Sequence, residues 1–394
     1  MEILLLIVIF MAFIALGIPD SLIGAAWPAI YEDFAIPETY ISFVTMTIYG
    51  CVVISSVLCT KFLQRYGTAK TTAFSTAFIA LGILGFSFSP NLIFMCLFAI
   101  LIGIGGGAIN TGLNNYVALH YEARHMNFLH CFYGVGTICS TSLLTVTLEN
   151  SGWRTGYRYI FAVQIIIALL IFVSIPIWKK NETAGEESEE VEQKKLSIMK
   201  MFRMPAIRTL WCAVFTTNAI EFAVGYWLST YLVKARGVSL EQGAFAATLY
   251  YGGMALGRFL SGLISNKIKT WKRIGIGVLI VSVSVIAIIV PFTDALAIIG
   301  MFLIGFGNGS VYPNLIHLTP HSFAKEHSQS ITASEIAVAY LGVMVTLPVS
   351  SLVIGWAGIK IFPVFLAAVL VIMLWSLWNF VRLLKKQGKY DKEV

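Results

Sequence analysis

Apolar runs of about twenty residues follow one another along nearly the whole of this 394-residue chain, and no other feature restricts its fold so strongly. A helix needs roughly 20 apolar residues to cross the hydrocarbon core of a bilayer. Such runs fall at about 3–30, 39–60, 71–88, 92–119, 127–148, 157–178, 206–233, 242–265, 274–291, 295–319, 328–355 and 359–381. Inside lipid each backbone polar group must bond within its own segment, so repeated crossings of this length are helices. The expected fold class is therefore an all-α integral membrane protein with twelve transmembrane helices. Composition agrees: 58% of residues are hydrophobic and 12% charged, against the half and quarter usual for soluble domains. The first run lacks a basic leader and outlasts a signal sequence, so it reads as a retained helix.

Basic residues set the expected orientation. Of the 27 Lys and Arg, only Arg154, Arg158, Lys234, Arg236 and Lys360 fall in loops that face outward when both termini are cytoplasmic. The positive-inside rule then predicts a multi-pass protein of the cell (inner or plasma) membrane with both ends inside. On this reading no basic residue lies deep in a span. The net charge of +7 reports topology, so the lipid bilayer is the expected partner and nucleic acid is not. Nothing in the pattern asks for an oligomer, and a monomer is expected.

Cys51, Cys59, Cys96, Cys131, Cys139 and Cys212 all lie within runs, with no CxxC spacing. The six histidines cluster irregularly at the inner ends of four runs. Neither set has the spacing of a metal site, and no cofactor is expected. An enzyme would need a nucleophile–base pair or a metal cluster that the sequence does not offer, so none is expected.

Between the sixth and seventh runs, KKNETAGEESEEVEQKKLS (179–197) has no apolar periodicity and reads as a solvated joint. It divides the chain into a six-helix N-terminal bundle (1–178), a cytoplasmic linker (179–205) and a six-helix C-terminal bundle with a short tail (206–394). The halves echo each other at a nearly constant offset. Asp20 and Gly24 are matched by Glu221 and Gly225, Tyr49 by Tyr250, and Gly103, Gly105, Gly107 and Asn110 by Gly305, Gly307, Gly309 and Tyr312. Six helices return the chain to its starting side, so the repeat is parallel.

Of the 20 acidic residues, Asp20, Glu221 and Glu335 alone lie inside runs. A carboxylate near the bilayer centre costs roughly 2.5 to 3.5 kcal/mol on insertion scales, so it faces a wet cavity, a partner or a proton. With no Lys or Arg expected in the spans, a proton, a bound cation or substrate hydroxyls must neutralise it. These three are the ion-coupling candidates. At 1.5 Å per residue, Glu221 lies about 20 Å from Arg208 and from Lys234, near the midplane, and Asp20 about 18 Å from Glu32. Glu335 lies about 12 Å beyond His327, the position of a cytoplasmic gate.

Substrate-binding candidates surround these acids. Asn110 and Asn114 share one helix face and offer amides to a polyhydroxy ligand. Asn308 and Tyr312 are their counterparts in the tenth run, and Asn218 neighbours Glu221. Trp27, Tyr49, Tyr133, Trp227 and Tyr250 could stack on a sugar ring. The glycines of GIGGG (103–107) and GFGNG (305–309) follow no strand and read as close helix packing.

Twelve spans, a polar central linker and parallel halves resemble the major facilitator superfamily over nearly the whole chain. The loops LQRYGTAK (63–70) and GRFLSGLISNK (257–267) resemble its cytoplasmic loop motif, with Gln64 where an acid is usual. The resemblance implies the major facilitator fold, two parallel six-helix bundles flanking a cavity lined by helices 1, 4, 7 and 10. GIPDSLIGAAWPAIYEDF, NTGLNNY, HMNFLHCFYGVG, NAIEFAVGYWLSTYL and VYPNLIHL narrow it to the fucose-galactose-glucose:proton symporter group. By that resemblance Asp20 is the helix 1 acid of proton coupling and sugar recognition. Asn110 stands where the group's fucose permease has an acid, and Glu221 where several relatives carry one in helix 7. The implied function is secondary active transport: symport of a sugar or similar small polar metabolite with a cation, a proton before sodium, by alternating access. A proton-coupled exporter of drugs or metabolites is the rival, although GVGTICSTSLL (134–144) lacks the proline expected of that branch.

Overall fold

The computed structural model describes residues 2–121, 123–182, 196–265, 267–290, 293–323 and 325–388. The long helices are α1 (Glu2–Asp33), α2 (Ile41–Phe88), α3 (Leu92–His120), α4 (Ala123–Asn150) and α5 (Trp153–Glu182). A short α6 (Ile198–Arg203) precedes α7 (Pro205–Arg236), α8 (Leu240–Leu263), α9 (Thr270–Ile289), α10 (Asp294–Ser322), α11 (Lys325–Ala357) and α12 (Phe362–Lys386). Because α2 holds two crossings, the described residues contain twelve. Ten are long and apolar enough to span a membrane by that measure alone. The other two are α7 and α8, whose polar content lowers their hydropathy.

Local chemistry explains the helix limits. The Asn91 side chain caps α3 by accepting from the Ile93 and Phe94 amides, and Thr293 caps α10 through Leu296. Within the spans Thr45, Thr72, Thr76 and Thr141 donate to carbonyls four residues back, which satisfies their hydroxyls without water. The loop expected at 63–70 is a tight one: two helical stretches, counted together as α2, meet across a kink at Gly67, whose φ of +76° suits glycine.

Two compact units result, residues 1–188 with 225–251 and residues 189–224 with 252–394. Both α7 and α8 therefore contribute to each. The expected linker is partly helical, since α5 continues to Glu182 and α6 covers Ile198–Arg203. Its acidic stretch 183–195 lies outside the described residues, as does the end of the tail.

In the first unit α2 packs on α3 and α5, and α1 on α4 and α5. A Cβ at Gly17 would strike the Tyr133 carbonyl and one at Gly136 the Ile14 carbonyl, so α1 and α4 meet backbone to backbone. Gly24 presses equally closely on the carbonyl of Gly225, the residue to which the repeat relates it. Two of the basic residues expected in outer loops are paired here, Arg154 with Asp33 at 2.9 Å and Lys234 with Glu38 at 2.6 Å. In the second unit α9 packs on α10 and α12, and α10 on α11.

Candidate functional site

Asp20 and Tyr133 face each other from α1 and α4 of the first unit, and the tyrosine hydroxyl donates to Asp20 Oδ2 at 2.6 Å. The α1–α4 glycine contacts lie at the same level, which is how the sequence brings a phenol to a carboxylate across two helices. The buried hydroxyls of Tyr49 on α2 and Tyr226 on α7 share a hydrogen bond at 3.1 Å. Both tyrosines interact electrostatically with Asp20. An embedded acid is thus bonded to one phenol and lies within electrostatic reach of two more. On α3 the Asn114 amide donates to the Asn110 carbonyl at 2.8 Å and to its Oδ1 at 2.7 Å, confirming that the two side chains share a face.

Three aromatic candidates are fully buried in this unit. Trp27 donates its indole N–H to the Glu38 carbonyl at 2.6 Å, and Trp227 and Tyr250 are 0% exposed. Tyr250 packs edge-on against Tyr251 with ring centres 5.1 Å apart. Their rings are packed within the unit in this structure.

The second unit holds the other two acids. Glu221 on α7 accepts from Arg258 Nη2 at 3.0 and 3.2 Å, and each side chain is only 13% exposed. This corrects the expectation that no basic residue could neutralise an embedded acid. The sequence reading puts Arg258 in a cytoplasmic segment, but it lies in α8, where its Nε also donates to the Gly309 carbonyl at 3.2 Å. A signal was available: Glu221 and Arg258 stand at similar distances from the α7–α8 turn, so an antiparallel pair of helices brings them together.

Glu335 on α11 is completely buried, accepts from Thr319 Oγ1 of α10 at 2.8 Å, and has no hydrogen-bond partner at Oε1 among the described residues. Tyr312 is close enough to interact electrostatically with Glu335, Glu221 and Arg258. Asn308 of α10 donates to the Thr217 carbonyl of α7 at 3.0 Å and so ties the two helices, whereas Asn218 donates within α7 to the Val214 carbonyl at 2.9 Å. Among the described residues no group of three or more His, Cys, Asp or Glu could hold a metal ion.

A chain of twelve membrane-crossing helices that keeps carboxylates, amides and phenols inside its spans is built as a multi-pass membrane transporter. It belongs to the Major Facilitator Superfamily, whose sequence profile matches residues 5–334. It is similar to the glucose/mannose transporter GlcP of Bacillus subtilis, 20% identical over 88% of this chain and 86% of that one. It is also similar to the 4-hydroxybenzoate transporter PcaK of Acinetobacter baylyi, 21% identical over 65% of this chain and 64% of that one. Among solved structures, a bacterial homolog of the human lysosomal transporter Spinster, inward-facing and unoccupied, matches with a TM-score of 0.72 at 13% identity. That match covers 99% of this chain and 98% of the other, and it fixes the fold alone.

Proposed function

We propose that the protein is a secondary active transporter that moves a sugar or similar small polar metabolite together with a cation, a proton before sodium, by alternating access. One observation carries the reading: Asp20 lies within a membrane span in hydrogen-bond contact with Tyr133 and within electrostatic reach of the Tyr49–Tyr226 pair. A carboxylate so placed can exchange a proton and can accept from substrate hydroxyls, and the neighbouring phenols can follow its change of charge. The similarity to a glucose/mannose transporter supports a sugar.

Asn110 and Asn114 supply further substrate contacts, with Tyr49, Tyr133 and Tyr312 beside the embedded acids. Glu221 takes part in coupling through Arg258, because protonation of Glu221 would release the guanidinium to another anion. Glu335 adds a buried carboxyl with one oxygen open to a proton. The chemistry is translocation and not catalysis, with no cofactor, and the protein acts as a monomer in the cell membrane with both termini inside. The linker joins two parallel bundles, 1–178 and 206–394.

A second reading takes a small organic acid as substrate. The embedded Arg258 favours it, as does the similarity to an aromatic-acid transporter.

Proteoliposomes loaded with an imposed proton or sodium gradient test both. Asp20→Asn should insert normally yet lose gradient-driven accumulation, because the amide cannot take up and release a proton. Full accumulation by this variant removes Asp20 from the mechanism, and accumulation of aromatic acids in place of sugars selects the second reading.

A further inference from the structure

We infer that a groove between the start of α7 and the end of α12 binds the headgroup of an anionic phospholipid. The groove has a volume of about 450 Å³ and is lined by Arg208 and Thr209 of α7 with Trp375, Asn379, Arg382 and Lys386 of α12. The four α12 residues follow at intervals of four, three and four, so they form one stripe along the helix. Three cations converge on it and its lining contains no carboxylate. Among the described residues, the contacts of the two arginines are with rings: Arg208 lies 5.9 Å from the Phe202 ring centre and Arg382 5.4 Å from that of Trp378. Such an arrangement is complementary to a phosphate.

The surroundings specify a lipid. Trp375 and Trp378 are 57% and 58% exposed on α12, and tryptophan in such a place sits at the headgroup level of a bilayer. Trp378, with Leu374, Leu377 and Val381, lines a second groove of about 280 Å³ against Trp271 of α9. That groove is apolar. Since Arg382 lies over Trp378, the cationic groove and the apolar one adjoin along α12. A phosphate held by Arg208, Arg382 and Lys386 therefore leaves an acyl chain beside Trp378. An inorganic anion would use the first groove and ignore the second. A zwitterionic headgroup carries its own cation and gains less from three more. Basic pockets between helices on the cytoplasmic side are suited to anionic lipid heads for these reasons.

The test reconstitutes the full chain into vesicles of phosphatidylcholine, alone or mixed with phosphatidylglycerol, and counts retained lipid by native mass spectrometry after extraction. The wild-type protein should retain phosphatidylglycerol in preference. Each basic residue near a membrane surface is worth about fivefold in affinity, so Arg208→Gln with Arg382→Gln should reduce the preference by about thirtyfold. Arg208→Lys with Arg382→Lys keeps the charges and should keep the preference. An unchanged preference in the glutamine variant overturns the proposal. Displacement of phosphatidylglycerol by inorganic phosphate but not by equal chloride also overturns it, because the ligand is then a free anion. Should the glutamine variant not fold, the wild type decides: phosphatidylglycerol with brominated acyl chains should quench tryptophan fluorescence more than brominated phosphatidylcholine, with Trp378→Phe removing the difference. Equal quenching by the two lipids overturns the site.

Discussion

Replacing Arg258 by glutamine removes the guanidinium that holds Glu221. At 3.0 Å and an effective dielectric of about 20, the attraction between the two charges is about 5 kcal/mol, most of it set against the cost of burying them. With each side chain only 13% exposed, solvent screens little of the imbalance left when one charge is deleted. Arg258→Gln should therefore destabilise the protein by about 3 to 5 kcal/mol, and Glu221→Gln by a similar amount. The double variant retains two amides of comparable size and should cost far less than the sum. Equilibrium unfolding in mixed micelles measures all three, and the cycle should return a coupling energy of about 2 kcal/mol or more. Single variants that each cost under about 1 kcal/mol, with strictly additive effects, would refute the pairing.

Three further outcomes are expected. Asn110→Ala and Asn114→Ala should each weaken substrate binding by roughly 1 to 3 kcal/mol, measured by scintillation proximity or calorimetry; unchanged affinity in both places the site elsewhere. Gly24→Ala should lower the yield of monodisperse protein in size-exclusion chromatography, because the new Cβ strikes the Gly225 carbonyl. The same change at Gly252, where nothing lies within 4 Å, should be tolerated, and equal behaviour of the two variants would remove the close contact. Glu335→Gln should preserve exchange of substrate down its own gradient while reducing accumulation under an imposed ion gradient; wild-type accumulation would make Glu335 a structural partner of Thr319.

Much of the candidate site was legible because an ionisable group in lipid is expensive wherever the helix later packs. Asp20, Glu221 and Glu335 stand out in sequence for that reason alone. Asn110 and Asn114 could be paired because a helix places residues four apart on one face, and they do bond each other. Arg258 is not legible in this way, because its place in a basic motif resembles that of a loop residue, whereas its guanidinium bonds an acid 37 positions away in sequence. The burial of Trp27, Trp227 and Tyr250 was equally hidden, since an aromatic ring in a span suits a ligand face and a packing face alike.

The sequence by itself determined the number of crossings, the family and the residues that needed a partner, because hydropathy and the price of embedded charge act locally along each helix. Which partner each residue received was decided only by tertiary packing. Tyr133 reaches Asp20 through glycine contacts between α1 and α4, Tyr226 meets Tyr49 from a helix 177 positions later in the chain, and Arg258 finds Glu221 across an antiparallel pair. Those choices depend on helix rotation and separation of a few ångströms, which the order of apolar residues constrains but does not set.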